Sequence, residues 1–144
     1  MSALDRFITA QETTYTRALA ELRDGAKHSH WMWFIFPQIA GLGRSSTAQY
    51  YAIADLDEAK AYLAHPVLGP RLAECTDAML SWAGRREAEA ILGPVDTLKF
   101  ASSMTLFEAA GGGDSFGRAL DGFFSGRRDP MTLALLGSNG QDGR

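Results

Sequence analysis

The chain has 144 residues, 46% of them hydrophobic, a net charge of −3 and a single cysteine, Cys75. This length suits one domain that folds around its own core without metal, and a lone cysteine excludes an internal disulfide. No basic stripe of the kind that binds nucleic acid is present, and the longest apolar run, Trp31 to Phe36, falls far short of the ~20 residues of a membrane span. With no apolar signal region at the N-terminus, the expectation is a cytoplasmic protein with neither a nucleic-acid nor a membrane partner.

Ser2 and Asp5 make a capping-box-like start, and Leu4, Ile8, Tyr15, Ala18 and Leu22 at helical spacing predict one first helix that stops at Gly25. His28 to Gln38 follows, with an apolar centre predicted to be a short buried helix capped by Ser29. After Gly41-Leu42-Gly43-Arg44-Ser45-Ser46, residues 47–51 have helical character. Asp55 and Glu58 repeat the capping pattern for a helix that must end before Pro66. Pro70 sits in the first turn of the next helix, with Leu72, Cys75, Met79 and Trp82 as its stripe and Gly84 beyond.

A short piece, Glu87 to Leu92, closes at Gly93-Pro94, and Asp96 is read as the N-cap of a helix running to about Ala110. Asp114 is read as the cap for Phe116, Leu120 and Phe123, and Asp129-Pro130 opens a last helix over 131–136. Strand signals are scarce. The predicted fold is all-α: seven or eight short to medium helices around an aromatic central segment, one domain over 1–137 and a flexible tail over 138–144.

Two stretches carry candidate chemistry. In the first, the aromatics are either plain core or, for Trp31 or Trp33, a platform that stacks on a ligand ring. Gly41, Gly43, Arg44 and Ser45 combine backbone amides, a guanidinium and hydroxyls, the ingredients of an anion site; Gln38 offers an amide edge. The same residues also read as a glycine turn with Ser45 or Ser46 as an ordinary N-cap, for the P-loop ending and the third dinucleotide-fold glycine are both missing. His28 and His30 are candidates for a general base; no acidic or thiol partner at ligand spacing makes them a metal site, and no cofactor is called for. In the second stretch, Lys99 shares a helical face with Ser102 and Ser103, an arrangement that suits a solvated lysine, an anion contact or an activated serine.

These stretches also carry a resemblance. Ser29 to Gln38, Gly41-Leu42-Gly43, Tyr51-Ala52-Ile53, Asp5-Arg6-Phe7 with Ala10-Gln11, His65 to Leu72, and Lys99 with Ser102 to Phe107 together resemble the family known as domain of unknown function 1810, over roughly residues 3 to 136. The resemblance implies a compact bacterial-type helical domain that usually stands alone, and it brings no activity or catalytic residue with it.

Two functional readings follow. In the first, a small anionic ligand (a nucleotide or phosphorylated metabolite) sits between the two stretches, bound by the residues named and, if the protein is an enzyme, processed by them. The alternative is a non-catalytic module that binds a protein or forms a homo-oligomer through surplus apolar residues such as Phe123 and Phe124.

Overall fold

In the computed structural model, which describes residues 3–140 and side chains through 137, ten helices form among the described residues and no strand does. They are α1 (Asp5–Glu12), α2 (Tyr15–Arg23), α3 (Met32–Ile35), α4 (Ser46–Tyr50), α5 (Leu56–Ala64), α6 (Leu68–Leu80), α7 (Ala88–Leu92), α8 (Pro94–Ala109), α9 (Asp114–Phe124) and α10 (Pro130–Gly140). The fold is all-α as expected, with seven of the ten helices longer than one or two turns.

The helix at the centre is α8. Six consecutive residues of it, Ser102 to Phe107, are buried, and α5, α7, α9 and α10 pack around it. Phe100 is fully enclosed by Phe36, Phe123 and Phe124, with ring centroids 4.9, 6.1 and 6.1 Å away. The aromatic run 31–36 joins this core from the side: Trp31, Met32, Ile35 and Phe36 are buried, whereas Trp33 and Phe34 are half-buried. Phe123 and Phe124 pack against the core and are not a free apolar surface. Apolar burial of this extent is the main source of stability in such a domain.

Side-chain caps start α4, α5 and α10. Asp55 accepts from the Glu58 amide at 2.9 Å and Asp129 from the Thr132 amide at 3.0 Å, each satisfying a donor the helix leaves free. Four expected boundaries differ. The first helix divides at Thr13-Thr14 into α1 and α2, and Ser2 lies outside the described residues. Ser29 does not cap α3; its side chain is drawn instead to Glu21. Asp96 is not an N-cap, because Gly93, at φ +86°, turns the chain so that Pro94 already occupies the first helical position. Asp114 likewise falls inside α9, after Gly113. The tail expected over 138–144 is outside the described residues from 141 onward, while the helical span of α10 reaches Gly140.

Two ties set the frame of the 36–53 loop. The Arg6 guanidinium reaches the carbonyls of Tyr50 and Ala52 at 2.8 and 2.7 Å and the Glu58 carboxylate at 3.1 Å. Ile39 and Ile53 form a single parallel bridge, with Ile53 donating to the Gln38 carbonyl and Ala40 to the Ile53 carbonyl, both at 2.8 Å. The backbone of Gln38 is therefore fixed while its side chain is left free to face outward.

Candidate functional site

The two stretches meet. Gln38, Leu42 and Gly43 from the loop after α3 form one wall of a cleft of about 260 Å³; Val95, Leu98, Lys99 and Ser102 of α8 form the other, with Asp129 and Met131 at the start of α10 closing one end. Three successive α8 positions at helical spacing, Val95, Leu98 or Lys99, and Ser102, supply that wall because residues three and four apart share a face.

The positive charge in the cleft is held by contacts from both stretches. The Lys99 ammonium lies 4.5 Å from the centroid of the Trp33 ring and 3.6 Å from Asp96. Asp96 is closer to Lys27, at 2.9 Å, and Lys27 in turn lies 5.1 Å from the Trp31 ring. One carboxylate thus serves two lysines, each stacked on a tryptophan, which leaves the group with a net positive charge. At the closed end Asp129 Oδ2 accepts from the Thr132 amide at 3.0 Å, the Thr132 hydroxyl at 2.6 Å and the Ser102 hydroxyl at 3.2 Å.

Gln38 is half-buried, and its side-chain amide makes no hydrogen bond to another described residue while keeping contact with solvent at the cleft surface. A primary amide carries two donors and an acceptor, all of which this one can offer to a bound molecule. Gln38 also borders, with Trp33, Gly43, Ala48 and Tyr51, a narrow extension of the same surface.

Behind the cleft, Glu21 anchors the segment that precedes α3. Its carboxylate accepts from the amides of His28 and Ser29 at 2.7 and 2.9 Å, the Ser29 hydroxyl at 2.5 Å and the Trp31 indole at 2.9 Å. Burial alone would raise its pKa; the donors from Ser29, His28 and Trp31 outweigh that and bring it down to about 2.

The other expected residues fall into distinct places. Trp31 is fully buried and is core, so of the two tryptophans only Trp33 reaches the cleft surroundings. Gly41 and Gly43 are explained by packing: at Gly41 (φ +106°) an added Cβ would come within 3.2 Å of Leu135, and at Gly43 within 2.5 Å of the Ala48 Cβ. Ser45 is the N-cap of α4, accepting from Ala48 at 3.1 Å. The Arg44 side chain is exposed and is not part of the cleft wall; its carbonyl accepts from Gln49. His28 and His30 are exposed and do not line the cleft either. Ser102 lines the cleft, but its hydroxyl is also shared with the Leu98 carbonyl at 3.1 Å. Ser103 is fully enclosed and its hydroxyl has no partner.

Lys27, Leu42, Val95, Leu98, Asp129 and Met131 were not foreseen as members. Of these, only Leu98 and Val95 carried a local signal, their helical spacing to Ser102. Among the described residues no group of three or more His, Cys, Asp or Glu side chains is placed to hold a metal ion, and no helix is long and apolar enough to cross a membrane.

The chain matches the family model described as protein of unknown function (DUF1810) over residues 1–136, and it belongs to that family. No curated protein matches it. Among solved structures it is similar to a conserved hypothetical protein from Mycobacterium tuberculosis, Rv1873, at 48% identity and a TM-score of 0.90, over 92% of this chain and 95% of that one.

Proposed function

We propose that this DUF1810 member binds a small anionic molecule in the cleft between the 38–43 loop and α8, with Lys99 as its charged contact and Gln38 as its polar reader. The observation that carries the reading is the side-chain amide of half-buried Gln38, without a hydrogen bond to another described residue, in the same cleft as the partly compensated Lys99 ammonium. Leu42, Val95, Leu98 and Met131 supply apolar walls around those two groups, the composition expected of a ligand site. A cleft of about 260 Å³ admits a ligand no larger than a small carboxylate or phosphate monoester, or one end of a longer molecule. The reading rests on Lys99, Gln38, Gly43 and Ser102 rather than on Arg44, His28 or His30. A turnover role would have to run through Ser102, the one hydroxyl at the cleft wall, with Asp129 3.2 Å away as its proton acceptor.

The second reading, a protein-interaction module, is favoured by the rim of the same cleft. Val95, Leu98 and Met131 are 65%, 70% and 58% exposed, high values for apolar side chains that share one surface.

The test is a thermal-shift screen of the purified chain against small carboxylates, phosphate monoesters and nucleotides, with Lys99→Gln and Gln38→Leu in parallel. A ligand at about 100 times its Kd stabilises the native state by ~2.7 kcal/mol, a rise of several degrees for a domain of this size. A shift that both variants abolish supports the ligand site. If no compound shifts the wild type and the protein self-associates through the exposed rim, the interaction reading replaces it.

A further inference from the structure

Among the described residues, five lysines and arginines are half-buried: Arg6, Lys27, Arg71, Lys99 and Arg128. Four of them hold a carboxylate within 4 Å: Arg6 has Glu58, Lys27 and Lys99 share Asp96, and Arg128 has Glu108 and Asp121. Arg71, the fourth residue of α6, has none. A cation withdrawn from water is costly unless a partner of opposite charge replaces the solvent, so the exception calls for a cause.

The guanidinium is nonetheless held in place. Nη1 donates to Gln11 Oε1 at 3.3 Å, and the group lies 4.8 Å from the centroid of the Tyr15 ring. Gln11 is itself buried and immobilised, donating to the Phe34 carbonyl at 2.7 Å and the Tyr62 hydroxyl at 3.1 Å. One long bond uses one of the five N–H donors a guanidinium carries. The carboxylate nearest in sequence on that helical face, Glu74, does not take up the others: it accepts the Tyr15 hydroxyl and pairs with Arg23 at 3.4 Å. Arg71, Arg23 and Glu74 together line a groove of about 740 Å³ that runs along α6 to Ser81. Summed over these three, the charge at the Arg71 end of the groove is +1.

We infer that this groove is a second ligand site, one that receives an oxyanion, carboxylate or phosphate, on the unused face of the Arg71 guanidinium. A planar fork with free parallel donors matches two oxygens of such a group, and preorganisation by Gln11 and Tyr15 removes much of the ordering cost of that contact. Asp77, two turns along the groove, limits the site to its Arg71 end and selects against a ligand with a second negative charge at that distance. This site is independent of the Lys99 cleft.

The experiment is an amide-resolved NMR titration of the full chain with inorganic phosphate and, separately, with acetate, at fixed pH and ionic strength. Saturable shifts are expected at the amides of Arg71 to Asp77 and at Arg23, weakened about tenfold or more in Arg71→Lys, where the charge stays and the fork is lost, and abolished in Arg71→Gln. If Arg71→Gln fails to fold, Arg71→Lys decides alone. Lys99→Gln should leave these shifts in place, which separates the two sites. Saturation with one probe identifies which oxyanion the groove takes. Absence of saturable shifts with both, or shifts that Arg71→Lys leaves unchanged, overturns the assignment.

Discussion

Glu21 is the position at which charge and fold are most closely linked. Glu21 is 8% exposed, and its carboxylate accepts four hydrogen bonds and has no cation among its partners, so the negative charge is stabilised by donors alone. A carboxyl whose pKa falls from 4.5 in the unfolded chain to about 2 in the native state contributes stability that is fully present above pH 4.5 and lost as pH drops through 2. The difference corresponds to roughly 3 kcal/mol, of which about 2 kcal/mol is gone by pH 3. Glu21→Gln reproduces the protonated state without changing shape: the amide oxygen can replace Oε1, which accepts three of the bonds, and the Ser29 hydroxyl can turn to accept at the other end. The variant should therefore be less stable than wild type by about 3 kcal/mol at pH 7 and by only about 1 kcal/mol at pH 3. Against a total of ~5–15 kcal/mol it should still fold at neutral pH. Urea unfolding of both proteins at pH 7, 5, 4 and 3 measures the gap, and the comparison cancels the other carboxylates that titrate in this range. A gap that stays constant with pH would refute the reasoning, since the loss could not then lie in the charge.

Asp96→Asn removes the carboxylate that two lysines share, and Lys27, with a side chain only 9% exposed, should carry most of the cost, ~2–3 kcal/mol by urea unfolding. Lys99→Gln should cost clearly less, because that side chain is more exposed and its ion pair longer. Asp129→Ala removes the α10 cap and the Ser102 contact together, for a loss of ~1–2 kcal/mol, and hydrogen exchange should show the first turn of α10 opening before α8. Cys75 is buried and burial pushes its thiol up to about 12, so it should stay unreactive toward a disulfide reagent at pH 8 until the chain is unfolded; rapid modification of the native protein would contradict its placement.

What was legible in the sequence was what local chemistry determines. Asp55 and Asp129 cap their helices because each places an acidic side chain three residues before a free amide, with nothing upstream that starts the helix earlier. Asp96 and Asp114 look the same in sequence and do not cap, because glycines with positive φ at 93 and 113 start the helices earlier. Gly93-Pro94 carried that information: proline is favoured in the first helical position, so the pair marks a start as readily as a stop. The convergence of the two chemical stretches was suggested by composition, but its agents were not. Lys27 reaches Asp96 across the fold, and Lys99 finds Trp33 through tertiary packing; neither contact has a periodic trace. Trp31 and Trp33 were equivalent candidates in the sequence, and which of them is core was decided by Glu21, whose carboxylate accepts from the Trp31 indole.

Polar groups with spare hydrogen-bonding capacity are what separate the two clefts from ordinary surface. Thr76 Oγ1 and Ser103 Oγ are unpartnered, yet both are sealed inside the core, where a hydroxyl without a partner is a local cost that packing offsets. The Gln38 amide and the Arg71 guanidinium differ in one respect: each is half-buried at the wall of a cleft that a small molecule can enter. Arg71 is also supported from behind by Gln11 and Tyr15, so it cannot easily swing out to full hydration, while the 39–53 bridge fixes the backbone from which the Gln38 side chain projects. A group fixed in that way keeps its donors at the cleft surface whether or not anything is bound there, and this preorganisation makes an incoming oxyanion or polar edge the cheapest partner for it.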